Sequence, residues 1–169
     1  MSEVLGRWNA AEREAAVEEI LACCGSRVWA ETMAARRPLA GVDELLEAAR
    51  GIWWDLSDAD WMEAFRSHPR IGGSSDAKAS TKSREWSAQE QRNVADGGDD
   101  VKMDLAQGNR AYEEHFGRIF IVCATGKAPS EILEILRSRL QNDDAAEMRE
   151  AADEQRKITE MRLRKWLGE

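Results

Sequence analysis

The chain is predicted to fold as an all-α protein, a single compact multi-helix domain over residues 1–169. Apolar residues recur at helical spacing in almost every segment, and only Ile119 to Ala124 resembles a buried strand. Because a lone strand leaves its backbone groups without partners, we interpret this stretch as a buried extended or helix-ending segment. The length of 169 residues, with 43% hydrophobic and 33% charged residues, suits one ordinary globular domain.

Four helices are predicted in the first half of the chain. Their ranges are Ala10 to Cys24, Arg27 to Ala35, Asp43 to Trp54 and Ser57 to Ser67. Gly25 ends the first and the Arg37-Pro38 pair follows the second, since glycine and proline both interrupt helices. The fourth helix opens with Ser57 and Asp60 in an N-cap pattern.

Four more helices are predicted in the second half. Their ranges are Ser87 to Val94 or beyond, Val101 to Phe116, Pro129 to Leu140 and Asp144 to Leu167. Gly117 suits the residue that ends a helix, and Pro129 suits a first turn. The polar stretch Arg70 to Glu85 is predicted to be a long loop that serves as a lid or a pocket wall, and Ala95 to Asp100 a shorter loop.

Composition and charge exclude several classes of protein. The net charge of −8 argues against nucleic-acid binding, which needs clustered lysine and arginine. Cys23, Cys24 and Cys123 show neither a disulfide framework nor zinc spacing, so we expect reduced and buried thiols. The chain has no signal peptide and no apolar run of the ~20 residues that a membrane span needs. Together these features predict a cytoplasmic protein without membrane contact.

His68 is the first candidate for acid–base chemistry, because the chain has only two histidines. Pro69 biases His68 away from the helical conformation, so the imidazole lies where a helix ends. Histidine is the side chain that changes charge near neutral pH. The same pattern is also typical of an ordinary helix-ending residue. The second histidine, His115, is interpreted as structural in a last helical turn, and two histidines without companions predict no metal site.

Ser87 and Glu90 have the spacing of a capping box, which by itself accounts for both residues. The same helix N-terminus could also hold an anion, so a structural cap and a substrate cradle are compatible. The cap leaves Gln91 without an explanation. Arg162 lies among other basic residues of the last helix, and spacing alone does not distinguish it from a surface charge.

Four motifs follow one another along the chain. They are His68-Pro69-Arg70-Ile71-Gly72, Ser87-x-x-Glu90-Gln91, Phe120-Ile121-Val122-Cys123-Ala124 and Lys157-Ile158-x-x-x-Arg162-Leu163. In this order they resemble the family of 2-oxo-4-hydroxy-4-carboxy-5-ureidoimidazoline (OHCU) decarboxylases, which catalyse the last step from urate to (S)-allantoin. The early Val28-Trp29 and Arg37-Pro38 pairs resemble the family's N-terminal region. The resemblance implies an all-helical fold of the OHCU decarboxylase type and an enzyme that needs no cofactor and is commonly a homodimer.

The resemblance also implies the residues of the site. By position, His68 matches the family's catalytic histidine, Glu90 its acid and Arg162 its arginine. The matching substrate-binding positions are Pro69, Ser87, Ala88, Gln89, Gln91, Phe120, Ile121, Val122, Cys123 and Ala124. The chain departs from many relatives at Arg92-Asn93 and at Thr125, which concerns substrate contacts rather than the reaction.

The chemistry of OHCU suits these residue types. Its carboxylate is on a carbon that bears a hydroxyl beside an imine, so the electrons left by carbon dioxide flow into the imine without a cofactor. We expect His68 to handle the hydroxyl proton, Glu90 to orient the ring and Arg162 to bind an anionic or carbonyl oxygen. Backbone groups of residues 121–124 would hold the ring amides, and protonation on one face would give a single enantiomer.

Two other interpretations stay open on sequence alone. One is a non-catalytic helical module that binds a partner protein through tryptophan-rich surfaces. The other is a different cofactor-free lyase or hydrolase that acts on a cyclic ureide.

Overall fold

The structure, a computed structural model, describes residues 2–72, 80–95 and 97–169. These residues form helices and contain no β-strand, which confirms the predicted all-α class. The helices are α1 (Glu3–Ala10), α2 (Arg13–Ile20), α3 (Arg27–Ala35), α4 (Val42–Trp54), α5 (Asp58–Arg66), α6 (Thr81–Glu90), α7 (Arg92–Ala95), α8 (Asp99–Phe116), α9 (Pro129–Arg139) and α10 (Asp144–Leu167).

The chain forms two compact units. The first extends to Ala64 and includes Arg156–Glu169, and the second is Phe65–Gln155. The prediction of one domain over residues 1–169 stays a prediction.

Tryptophan side chains build the core of the first unit, where α2 packs on α3 and α3 on α4. Trp8, Trp29 and Trp53 are fully buried. The indole N–H of Trp8 donates to the carbonyl of Ala16 at 2.9 Å, and that of Trp29 donates to the carbonyl of Ala49 at 3.1 Å. Each ring therefore contributes apolar area and also ties its helix to a neighbour.

The core of the second unit forms between α8 and α9, which pack closely because of one glycine. A Cβ placed on Gly108 would lie 2.5 Å from Cδ2 of Leu136. Tyr112 and Leu105 of α8, together with Phe120, complete this core. Its apolar centre supports the extended segment that follows α8.

The predicted helix Ala10 to Cys24 is wrong in its bounds, because α1 and α2 replace it. The backbone is extended at Ala11 and Glu12. This break returns the chain so that the indole of Trp8 reaches the carbonyl of Ala16. The burial of Trp8 therefore sets the break between α1 and α2, which the helical periodicity of the sequence does not predict.

The predicted capping box at Ser87 is also wrong. Helix α6 begins earlier, where the hydroxyl of Ser80 accepts a hydrogen bond from the N–H of Ser83 at 3.2 Å. Ser87 is a buried residue inside the helix, and Gln91 is its C-cap. Ser87 to Glu90 form the last turn of α6. The anion site that was expected at a helix N-terminus there is therefore wrong as well.

The predicted loop Arg70 to Glu85 is shorter than expected, since α6 occupies its last residues. Residues 73–79, on which the lid interpretation depends, lie outside the described residues, as does Asp96 of the predicted loop Ala95 to Asp100. Two boundary signals are confirmed: Gly117 ends α8 with φ +70°, and Pro129 begins α9. Helix α8 begins at Asp99, earlier than the predicted Val101. Residues 119–124 are neither helix nor strand.

Candidate active site

His68 lies two residues beyond α5, in a turn closed by its own N–H and the carbonyl of Phe65 at 3.1 Å. The ring is half-buried, and Nε2 lies 2.6 Å from Oε1 of Gln155 on α10. Since an amide oxygen only accepts, Nε2 is the donor in the tautomer that satisfies this contact. That tautomer of the neutral ring has its lone pair on Nδ1, which is the arrangement of a general base.

The loop after His68 is held by two side-chain amides. The amide nitrogen of Asn109 donates to the carbonyl of Ile71 at 3.0 Å, and Oε1 of Gln91 accepts from the N–H of Gly72 at 2.9 Å. Gly72 has φ +78°, a conformation that favours glycine. Gln91, which sequence reasoning assigned to substrate, therefore also fixes the shape of the loop.

A cavity of about 710 Å³ lies beside this loop, between the loop, α6 and α8. Four predicted substrate-binding residues line it: Pro69, Ser87, Ala88 and Gln91. Among the described residues, its basic lining residues are Arg70, Arg84, Lys102 and Arg110, and its one acidic lining residue, Glu113, pairs with Arg70 at 2.7 Å. This described part of the lining is therefore net positive in a chain of net charge −8, which suits an anionic ligand.

Glu90 and the extended segment do not line that cavity but are electrostatically coupled to each other. Burial raises the pKa of the Cys123 thiol, and the carboxylates of Glu154 and Glu90 raise it further, against the opposing charge of Lys127. Cys123 is therefore a neutral thiol beside carboxylates rather than a nucleophile. Gln89, another of the predicted substrate-binding residues, is exposed.

The segment Phe120 to Ala124 is buried apart from Cys123, which is partly exposed. Three of its carbonyls have donors: Nη1 of Arg139 binds that of Ile121, Nζ of Lys127 binds that of Cys123 at 2.9 Å, and the N–H of Lys127 binds that of Ala124 at 3.0 Å. Its N–H groups have no acceptor among the residues that the structure describes. Buried donors normally have partners, so these N–H groups suit the oxygens of a ligand.

Arg162 belongs to the first unit, and its interpretation as a surface charge is wrong. Its side chain is 1% exposed, and Nη1 donates to the carbonyl of Ala22 at 3.2 Å. The neighbouring Cys24 is buried, and burial raises the pKa of its thiol to about 11. Since His68 and Glu90 belong to the second unit, the assembly of all three into one site stays a prediction.

Sequence reasoning missed Gln155 and Asn109, which hold the two ends of the motif around His68. Gln155 is fully buried on the same face of α10 as Ile158 and Arg162. A glutamine at helical spacing from apolar residues was the signal that could have found it. The residues of α10 therefore include a polar group aimed at the candidate catalytic histidine.

The exposed His115 packs edge-on against Phe116, with ring centroids 4.3 Å apart, in agreement with its structural interpretation. Over the described ranges, no group of three or more His, Cys, Asp or Glu side chains has the geometry to hold a metal ion. In the same part of the chain, every helix is too short or too polar to cross a bilayer.

Comparison with known proteins identifies the family. The family model described as OHCU decarboxylase matches residues 9–164. The Uric acid degradation bifunctional protein TTL of Arabidopsis thaliana is 37% identical over 150 residues, which cover 88% of this chain. This chain spans only 46% of that longer relative.

Two further proteins agree with this assignment over most of their own length. The 2-oxo-4-hydroxy-4-carboxy-5-ureidoimidazoline decarboxylase of Amia calva is 33% identical and is matched over 73% of its length and 75% of this chain. A crystal structure of OHCU decarboxylase in the presence of (S)-allantoin superposes with a TM-score of 0.78 at 34% identity, covering 90% of this chain and 99% of the other. The chain therefore belongs to the OHCU decarboxylase family.

Proposed function

We propose that this protein decarboxylates OHCU to carbon dioxide and (S)-allantoin, without a cofactor, in the degradation of urate. The observation that carries the proposal is the row of N–H groups from Phe120 to Ala124, which lack acceptors among the described residues. A cyclic ureide presents carbonyl oxygens that such a row can bind. The similarity to a decarboxylase crystallised in the presence of (S)-allantoin supports the same ligand class.

The reaction breaks the bond between the ring carbon and its carboxylate. Carbon dioxide leaves, and the electron pair moves into the adjacent imine, so the substrate itself accepts the electrons. A proton then returns to carbon on one face, which sets the configuration of allantoin. The protein has to orient the ring, move protons and select the face.

His68 carries the proton transfer in this proposal. In this mechanism Nε2 donates to Gln155, and Nδ1 takes the proton of the substrate hydroxyl. The developing imidazolium keeps the same hydrogen bond to the amide oxygen. Nδ1 of His68 thereby removes the proton, while Nε2 restrains the imidazole ring.

Glu90 and Arg162 complete the proposed site. Glu90 ends α6 and is coupled to Cys123, which supports a role in orienting a ring bound along the extended segment. Arg162 presents a planar guanidinium suited to the substrate's carboxylate or carbonyl oxygen. Pro69 and the residues from Ser87 to Gln91 would form the rest of the substrate contact.

Circular dichroism of a coupled reaction tests the proposal. Urate, uricase and hydroxyisourate hydrolase supply the substrate, with and without this protein. We expect rapid growth of a signal of one sign with wild type. We expect slow racemic decay with His68→Asn, while the exposed histidine variant His115→Asn keeps wild-type turnover. A flat trace with the wild-type protein would contradict the proposal and favour the protein-binding module.

We also propose that the protein is a homodimer that works in the cytoplasm and that residues 1–169 fold as one domain. The family resemblance supports the dimer, and the three free thiols support a reducing compartment. Sedimentation equilibrium should give twice the chain mass of 19.0 kDa, and heating should give one cooperative transition. Cell fractionation tests the compartment.

A further inference from the structure

We propose that Arg139 and Lys127 are positioning residues that aim the amide N–H groups of Val122 and Ala124 at the substrate. The inference rests on the proposed function, because it assigns those amides to the ring of OHCU. Neither residue is among the predicted site residues. Both are fixed by contacts within the second unit.

Two basic side chains bind carbonyls of the segment Phe120 to Ala124 and thereby orient its peptide planes. The carbonyl of Ile121 and the N–H of Val122 belong to one planar trans peptide and point in opposite directions. Nη1 of Arg139 binds that carbonyl. The bond therefore directs the Val122 N–H away from Arg139.

Lys127 does the same one step further along the segment. Its Nζ binds the carbonyl of Cys123 at 2.9 Å, so the N–H of Ala124, in the same peptide plane, points away from Lys127. The N–H groups of Val122 and Ala124 therefore each point away from the basic side chain that binds the carbonyl of the same peptide. Neither N–H has an acceptor in the part of the chain that the structure describes.

The guanidinium of Arg139 is held rigidly by a buried acid. Nε and Nη2 lie 2.8 and 2.5 Å from Oε1 of Glu147, and both side chains are at most 2% exposed. The guanidinium also stacks on Phe120, with Cζ 4.6 Å from the ring centroid. The buried guanidinium has lost its hydration and depends on these partners for its hydrogen bonds, so it has few other orientations.

Two more donors fix the acid itself. The hydroxyl of Tyr112 donates to Oε1 of Glu147 at 2.6 Å, and Asn142 donates to Oε2 at 3.0 Å. Burial first, and then the hydrogen bond and charge of Glu147, raise the pKa of Tyr112, so the phenol keeps its proton and remains a donor. The network thus runs from α8 through α10 and α9 to the carbonyl of Ile121.

The test compares Arg139→Lys and Lys127→Met with the control Arg137→Lys. Lysine at 139 keeps the charge but lacks the fork that binds Glu147 and Ile121 together. Arg137 is on the same helix but exposed. Substrate KM, kcat and the enantiomeric excess of allantoin are measured well below the melting temperature of each variant.

We expect the KM of each test variant to rise about tenfold and the enantiomeric excess to fall, with kcat changed by less than about threefold, because loosened amides bind the ring less well. The control should match wild type. A structural role alone would lower the melting temperature without changing KM or the enantiomeric excess of the folded enzyme.

Amide spectra give a readout that does not depend on turnover. On addition of (S)-allantoin to the ¹⁵N-labelled protein, the Val122 and Ala124 resonances should both shift in wild type, and the Ala124 shift should be much smaller in Lys127→Met. Unchanged KM, enantiomeric excess and shifts in Lys127→Met would overturn the inference even if Arg139→Lys fails to fold. Absence of turnover by wild type would instead reject the proposed function.

Discussion

Replacement of Gln155 by leucine tests how His68 is held. Leucine is close in size to glutamine, so the buried site stays filled while the acceptor 2.6 Å from Nε2 of His68 is removed. The imidazole loses the contact that keeps its proton on Nε2, and the tautomer with the lone pair on Nδ1 is no longer favoured. The fold should persist with a lower melting temperature, because His68 Nε2 loses its partner at a cost of about 1–3 kcal/mol.

The expected loss follows from the type of hydrogen bond. A bond to a charged group contributes about 1.5–3 kcal/mol, and His68 becomes an imidazolium when it takes the substrate proton. The same bond to the neutral ring contributes about 0.5–1.5 kcal/mol before reaction, so about 1–1.5 kcal/mol is lost in the transition state alone, which corresponds to a decrease in kcat of about 5- to 13-fold. Since the residue does not contact substrate in this mechanism, KM should change far less.

Steady-state kinetics from the coupled dichroism assay measure this loss, with Gln107→Leu on the exposed face of α8 as the matched control. Gln155→Glu retains an acceptor oxygen of the same reach and should recover part of the activity. A Gln155→Leu enzyme with a normal melting temperature and kcat within twofold of wild type would refute the reasoning.

Three further predictions concern the acid, the helix packing and a buried thiol. Glu90→Gln should lower kcat by several tenfold steps, each ~1.4 kcal/mol of barrier, whereas a lower melting temperature with normal kcat would indicate a structural role only. Gly108→Ala should destabilise the fold by about 1–3 kcal/mol, because the new Cβ would lie 2.5 Å from Leu136. Gly51→Ala on α4, whose new Cβ would have no atom within 4 Å, should stabilise the fold by about 0.5–1 kcal/mol. Thermal melts compare the two variants. Burial raises the pKa of Cys24 from 9.0 to about 11, so its unfolded form deprotonates first and the free energy of unfolding should fall by about 2 kcal/mol between these pH values. Urea unfolding at pH 8 and 11 should show a smaller fall in Cys24→Ala, and an identical fall would contradict the assignment.

Local signals predicted the parts of the fold that depend on neighbouring residues in the chain. Gly117 ends α8 and Pro129 begins α9 because a left-handed residue and a proline act on their own helix alone. The start of α6 could not be read in the same way, since Ser80 and Ser87 both look like N-caps. Burial of Trp86 and Ser87 in the folded unit selects the earlier serine.

For the candidate site, sequence motifs named the residues but not their partners. His68 and its loop were predicted from one short motif, whereas Gln155 lies 87 positions away in the chain and reaches it only in the folded unit. Arg162 looked like its charged neighbours until its burial separated it from them. The spacing of residues along a helix predicts which side of the helix a residue is on, but it does not predict which residues of other elements pack against that side.

The sequence therefore carries the helical class, the family and the chemical types of the site, because composition, helical periodicity and ordered motifs are properties of the chain itself. Tertiary structure decides which cap is used, which polar groups are buried and which way a peptide plane points. The clearest case is the segment Phe120 to Ala124, whose apolar sequence predicts burial alone. The contacts of Arg139 and Lys127 determine that carbonyls of this segment are bound, while its N–H groups have no acceptor within the described residues.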